Sequence, residues 1–136
     1  FLVTTHSVMK SWLTFGSTTS IERFTGDTSR AAIEGRLEAA RDSARLAHAA
    51  GVKIAAGSDY GGGSLRAGHL AWEVESLVEA GLEPWEALAA ATWRGGELLG
   101  EPRAGVLRVG GPSDCFLVHG DPLSDPSTLW RVWAVL

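Results

Sequence analysis

The chain has 136 residues, of which 45% are hydrophobic and 21% are charged, and its formal net charge at pH 7 is −4. This composition is typical of a globular protein that is long enough to bury one core. The mild acidity and the lack of a basic stripe argue against a nucleic acid or an anionic membrane as partner. No apolar run reaches the length that is needed to span a bilayer.

Both ends of the chain consist of extended apolar residues, at positions 1–5 and 129–136. We therefore expect the chain to be part of a longer protein, so that a missing leader says nothing about its compartment. The compartment stays undetermined, with a cytoplasmic location as the working expectation. The single cysteine, Cys115, has apolar neighbours and is expected to be a buried thiol rather than a reactive one.

The first half of the chain predicts a strand, a long loop, a helix and a second strand. Residues 1–5 are extended and apolar, and residues 7–26 show no clean apolar period, which indicates a loop of the kind that often serves binding. Apolar side chains recur at steps of four and three over residues 27–50, and this predicts an amphipathic helix. Residues 52–56 form a short apolar run that predicts a buried strand.

Two helices are predicted next. The first covers residues 68–80, and the second begins at Pro84, with Trp85, Leu88 and Ala91 facing inward.

The remaining residues predict a small β unit. Residues 106–109 and 115–118 flank a glycine-rich turn and predict a β-hairpin, and residues 129–136 predict a last strand. The fold class is thus α/β, with strands and helices of a barrel or sheet over residues 1–100 and a β module over residues 101–136.

One acidic residue, Asp59, directly follows the predicted strand of residues 52–56. Folds built from parallel strands gather ligands and chemistry at the carboxyl ends of their strands. The triple glycine of residues 61–63 would let a ligand approach there. Asp59 is therefore the best candidate for a functional side chain, and the alternative is that it caps the next helix or orders the turn.

Two familiar motifs fail in this region. Gly63 and Gly68 have the spacing of a P-loop, but His69 and Leu70 stand where the lysine and the hydroxyl residue should be, so a nucleotide site is not predicted. Ser58 lacks the Gly-x-Ser-x-Gly elbow of a serine nucleophile.

Two histidines could accompany Asp59. His6 follows the first strand as Asp59 follows the second, so both could lie at the same edge of the sheet if the strands are neighbours. His69 could lie above that edge. A hydrolytic zinc site typically needs three protein ligands and an open position. One aspartate and two histidines of uncertain placement do not make that set.

From residue 50 onward the chain resembles the amidohydrolase superfamily, in particular its imidazolonepropionase-like and Xaa-Pro-dipeptidase-like members. The matching positions are Ala50-Gly51-Val52, Gly57-Ser58-Asp59, residues 69–73, residues 77–88, residues 90–92, Leu99-Gly100, Gly105-Val106, Gly110, residues 113–118 and residues 120–123.

The resemblance implies the C-terminal part of a (β/α)8 TIM-type barrel, followed by strands of a small β-sandwich. It also implies that Asp59 is both a metal ligand and a catalytic residue, which binds a divalent metal, expected to be zinc, and takes a proton from the attacking water. His69 and His6 would at most support the ligands or contact substrate. The family's other metal-binding histidines have no counterpart among these residues.

The implied activity is metal-dependent hydrolysis of a carbon–nitrogen bond in a small molecule, such as an amide, a cyclic amide or a dipeptide. A homo-oligomer is a further expectation, because unpaired sheet edges and apolar patches favour association. The alternative function is that of a catalytically incomplete remnant that acts only by associating with a partner chain.

Overall fold

The computed structural model describes residues 1–61 and 64–136, without the side chains of Arg23, Asp27 and Thr28. Gly62 and Gly63, which belong to the triple glycine and to the P-loop-like spacing discussed above, lie outside the described residues. The elements are β1 (Leu2–Thr4), α1 (His6–Gly16), α2 (Asp27–Ala49), β2 (Ile54–Ala56), α3 (Leu70–Glu79), α4 (Pro84–Ala91), α5 (Trp93–Leu98), β3 (Phe116–Val118) and β4 (Val132–Val135), with short 3-10 helices at Glu22–Phe24 and Pro126–Trp130.

The strands β1 and β2 pair in parallel, with Leu2 opposite Ile54 and Thr4 opposite Ala56. A parallel pair needs a long crossover, and here α1 and α2 supply it. Both predicted strands are therefore confirmed, and the structure shows that they are neighbours whose carboxyl ends lie side by side.

The prediction of a long loop over residues 7–26 is wrong. An eleven-residue helix, α1, begins at His6, and it is followed by the 3-10 turn at Glu22–Phe24. The buried residues of α1 are His6, Ser7 and Ser11 rather than a stripe of large apolar side chains. Val8, Trp12 and Phe15 do recur at helical spacing but are only half-buried, so the interpretation of this segment as a loop missed a real apolar period.

The predicted helix over residues 27–50 is confirmed as α2. Its stripe of Ile33, Leu37 and Ala44 is buried. Gly51, which follows the C-cap residue Ala50, has φ +74°, and this left-handed conformation commonly ends helices.

The main core lies where α2, β2, α3 and α4 meet. Ile54 and Leu77 are fully buried in it. The expectation that Trp85 faces inward is wrong, because α4 buries small alanines such as Ala87 and Ala90 and leaves Trp85 54% exposed. Alanines let the helix approach its neighbours closely, where an indole would not fit.

The predicted hairpin between residues 106–109 and 115–118 is also wrong. β3 pairs antiparallel with β4 instead, and Phe116 lies opposite Val135. Residues 106–110 form no strand and are exposed. The apolar pattern of residues 115–118 is compatible with either partner strand, and the protein adopts the long-range pairing. Backbone hydrogen bonds between Cys115 and Leu136 extend this pairing. Cys115 itself is half-buried and free.

None of the helices in the described ranges combines the length and the apolar character that a membrane crossing requires.

Candidate functional site

The candidate site lies at the carboxyl edge of the β1–β2 sheet. The amide of Gly57 donates to the carbonyl oxygen of Thr4 at 2.7 Å, so the segments that leave the two strands run side by side. A Cβ at position 57 would lie 2.9 Å from Val3 Cγ1 and 3.2 Å from the Thr4 carbonyl oxygen. The close approach of the strands therefore requires glycine here.

Asp59 follows two residues later and is exposed. Its φ is +47°, and among the described residues it is the only one other than glycine with a positive φ. The left-handed conformation costs an L-residue about 1–2 kcal/mol, although aspartate tolerates it better than most residues. Backbone strain of this kind gathers at functional sites, and the functional role of Asp59 stays a prediction.

Beneath this edge lies a buried polar link between α1 and α3. The backbone amide of Ser7 donates to Oε2 of Glu73 at 2.7 Å, and the Ser7 hydroxyl donates to the carbonyl oxygen of Ser58 at 3.5 Å. Ser7 and Glu73 are both fully buried. The link therefore joins the start of α1, the first turn of α3 and the residue before Asp59.

His6 lies in the same buried region. Its side chain is 2% exposed, and its Nδ1 lies 3.4 Å from Oε1 of Glu73. Neither of these two atoms has a hydrogen-bond partner among the described residues. The structure thus brings His6 to Glu73, inside the protein, whereas Asp59 is at the surface. A role for His6 beside substrate stays a prediction.

His69 lies just before α3, in an aromatic cluster with Trp72 and Trp130. The three ring centroids are 5.3–5.7 Å apart with edge-to-face geometry. Trp130 Nε1 also donates to Oε1 of Glu75 at 2.7 Å. This cluster joins α3 to the 3-10 turn that precedes β4. A contact of His69 with substrate stays a prediction.

Sequence reasoning used Glu73 only as a point of resemblance and assigned it no role. A signal was nevertheless present, because Glu73 lies three residues after Leu70 and four before Leu77, on the buried face of α3. A carboxylate in that stripe is costly to bury unless it has partners, and this predicts a specific polar contact.

A divalent metal would find one ligand here, the exposed carboxylate of Asp59. Within residues 1–61 and 64–136, no group of three or more His, Cys, Asp or Glu residues could hold a metal ion. Among the described residues, Asp59 could therefore serve as one metal ligand, but these residues do not form a complete metal centre.

Comparisons with known proteins agree with this architecture. The chain is similar to a Xaa-Pro dipeptidase with methionine bound in its active site, with 27% identity and a TM-score of 0.74 over 95% of this chain and 32% of that one. It is also similar to a prolidase in complex with N-methylphosphonate-L-proline, with 27% identity and a TM-score of 0.79 over 100% of this chain and 33% of that one.

A third similar structure is the ochratoxinase of A. niger, with 26% identity and a TM-score of 0.72 over 98% of this chain and 30% of that one. The chain thus spans about a third of the length of these relatives. Comparison with curated protein sequences found no match.

The profile of the amidohydrolase family matches residues 4–135, which include every element except the first two residues of β1, and also the loop of Asp59. The chain therefore belongs to the amidohydrolase family.

Proposed function

We propose that this chain is part of a metal-dependent hydrolase that cleaves carbon–nitrogen bonds in amides or dipeptides. The observation that carries the proposal is the placement of Asp59, an exposed carboxylate with φ +47° at the carboxyl edge of parallel strands, in a chain whose family match covers residues 4–135. Similarity to a prolidase and a Xaa-Pro dipeptidase favours dipeptides, including those with a C-terminal proline, as the first substrates to assay.

Amidohydrolases generally use divalent metals, and we take zinc as the metal here. A bound zinc ion would lower the pKa of the attacking water to about 7 and polarise the substrate carbonyl. The carboxylate of Asp59 would be one of the ligands of the ion. It would also accept the proton of the attacking water and later pass it to the leaving amine.

The remaining ligands have to come from residues outside the described part of this chain, because that part holds no cluster of three ligands. The relatives are about three times as long, which leaves room for such residues in the parent protein. The activity, the substrate and the barrel are therefore proposed for that parent protein. Association into a homo-oligomer is an additional proposal.

Replacing Asp59 with asparagine in the parent protein tests the proposal. Asparagine has nearly the same shape and also tolerates a positive φ, so we expect the fold to survive. We expect kcat to fall at least about a hundredfold, because both the proton acceptor and a ligand charge are lost. The measurements are steady-state kinetics on dipeptides and the metal content by atomic emission.

The matched control is Asp42→Asn, which removes an exposed carboxylate that pairs with Arg45 on α2. We expect this variant to keep wild-type turnover. Wild-type turnover of Asp59→Asn would contradict the proposed function.

A second candidate function is that of a non-catalytic remnant that associates with a partner. The exposed apolar side chains of the β unit favour it, among them Trp133 and Val135 with 66% and 77% exposure. Zinc content and amide hydrolysis of the parent protein separate the two functions, because a non-catalytic remnant would show neither. A parent protein that binds zinc stoichiometrically and hydrolyses an amide would contradict the remnant function.

A further inference from the structure

We propose that Glu73 is a positioning residue, which acts through Ser7 to hold the backbone of Asp59 in its left-handed conformation. This inference rests on the proposed function of Asp59. It assigns a role to a carboxylate that does not itself reach the reacting atoms.

The first step is the bond between Glu73 and the start of α1. The amide of Ser7 belongs to the first turn of that helix, where backbone N–H groups have no partner within the helix. Thr5, the N-cap residue, provides no side-chain hydrogen bond. Oε2 of Glu73 accepts the Ser7 amide at 2.7 Å instead, from a residue 66 positions away.

This bond is well placed to fix the position of α1. A carboxylate at a helix N-terminus is favoured by the helix dipole, and a charge-assisted bond is stronger than a neutral one. Both residues are fully buried, so water does not compete for the contact. Glu73 therefore caps α1 from a different helix and sets the position of Ser7.

The second step leads from Ser7 to Asp59. The Ser7 hydroxyl donates to the carbonyl oxygen of Ser58 at 3.5 Å. That carbonyl and the amide of Asp59 belong to one planar peptide unit. The orientation of this unit determines φ of Asp59, which is +47°. Ser7 thus makes a long, weak hydrogen bond to the peptide unit whose orientation sets the strained conformation of Asp59.

A third contact restrains the loop on its far side. The Ser64 hydroxyl donates to the carbonyl oxygen of Ser11 at 2.9 Å, and the neighbouring Leu65 is 3% exposed. The loop that carries Asp59 is therefore attached to α1 at two points, one at Ser7 and one at Ser11. Displacing the start of α1 would shift both points together.

Positioning matters because reacting groups work only within a narrow range of geometry, on the order of 0.5 Å. Residues that orient a metal ligand without touching the metal typically change metal affinity or activity by about 10- to 100-fold when they are removed. We expect an effect of this size for Glu73.

The experiment compares Glu73→Ala, Glu73→Gln, Leu77→Ala and Asp59→Asn in the parent protein, well below every melting temperature. We expect Glu73→Ala to lower kcat by about 10- to 100-fold without changing KM. Glu73→Gln should recover most of that loss, since its amide oxygen can still accept the Ser7 amide. Leu77→Ala, the control, destabilises the same helix elsewhere and should keep kcat.

Equal losses of kcat in Glu73→Ala and Leu77→Ala would overturn the inference, because a merely structural role would explain them. A change in KM alone would overturn it as well. Should Glu73→Ala fail to fold, Ser7→Ala decides, since it removes only the hydroxyl that holds Ser58. We expect about a tenfold loss of kcat there, and wild-type kcat would overturn the inference.

Asp59→Asn separates this inference from the proposed function. An inactive Asp59→Asn beside a fully active Glu73→Ala would overturn the role of Glu73 alone. An active Asp59→Asn would overturn the proposed function, and the role of Glu73 with it.

Discussion

The two sheets of this protein have the same number of strands but very different surroundings. In the β1–β2 sheet, Ile54 is fully buried and Ala55 is 1% exposed, because helices cover β2, whereas Val3 on β1 is 48% exposed. In the β3–β4 sheet, Phe116 is 49% exposed and Trp133 is 66% exposed. An isolated two-stranded sheet is marginally stable in water, so its stability depends on what packs against it.

The second sheet is attached to the helices mainly through the turn that precedes β4. Leu129 packs at the edge of the main core, and Trp130 lies against Trp72 and His69. The comparison indicates that the first sheet belongs to the core of the protein, while the β unit is docked onto that core through a few side chains. The following variants test this difference, from the largest expected effect to the smallest.

Leu77→Ala should have the largest effect on stability, since Leu77 is fully buried on α3. Removing a buried leucine side chain costs about 2–5 kcal/mol through lost burial and a residual cavity. Leu117→Ala on β3 is the control, with 42% exposure of the native residue, and we expect about 0.5 kcal/mol there. Urea denaturation measures both free energies of unfolding, and equal losses would mean that the β unit is packed as tightly as the helical core.

Gly105→Ala should disturb the segment that joins the two regions. A Cβ at this position would lie 2.4 Å from the carbonyl carbon of Thr92, and φ is +70°. Gly110→Ala is the matched control, with φ +74° and no atom within 4 Å of the added carbon.

We expect the control to lose about 1–2 kcal/mol of unfolding free energy, because alanine is strained in the left-handed conformation. Gly105→Ala should cost about 1–3 kcal/mol more, because backbone atoms have to move. Thermal melts of both variants measure the difference. Equal melting temperatures would show that residues 101–110 do not need their close contact with α5.

Trp130→Ala should loosen the β unit and leave the main core intact. Each aromatic contact of Trp130 contributes about 0.5–1.5 kcal/mol beyond its buried area, and the hydrogen bond to Glu75 is lost as well. We expect faster hydrogen exchange at the β3 and β4 amides and unchanged exchange in α3. Trp133→Ala, which removes a more exposed indole, is the control. Faster exchange in α3 would show that the two regions unfold together.

Glu86→Gln should have the smallest effect, within the helical region alone. Burial raises the pKa of Glu86, but hydrogen bonds from His48 and from the Glu83 backbone, together with nearby positive charge, lower it below the ordinary value of 4.5. His48 Nε2 lies 2.9 Å from its Oε1 and so links α2 to α4.

A carboxyl group with a lowered pKa stabilises the fold above its unfolded pKa, and this contribution is lost as the pH falls through the folded value. Glu86→Gln should therefore destabilise the protein at pH 7 by less than about 1 kcal/mol, and the difference from wild type should vanish well below pH 4.5. Melting curves across pH, repeated in a His48→Gln background, measure this. A difference in stability between Glu86→Gln and wild type that persists at low pH would show that the ionised Glu86 carboxylate does not stabilise the fold.

The sequence by itself was enough to predict the elements whose buried faces are apolar. The stripe of Ile33, Leu37 and Ala44 predicted α2, and the apolar run before Gly57 predicted β2. The position of Asp59 after that strand followed from the same run. These features can be predicted locally, because they depend only on the spacing of apolar side chains along the segment and on the turn residues beside it.

Only the tertiary structure decided the rest. The start of α1 is fixed by Ser7, whose amide and hydroxyl bond to distant segments, and contacts of this kind cannot be predicted from neighbouring residues. The partner of β3 is β4 rather than the preceding segment, and strand pairing across the chain depends on what else covers each face. The contact of Glu73 with Ser7 joins residues 66 positions apart, and hydrogen bonds of that kind exist only once the helices have packed.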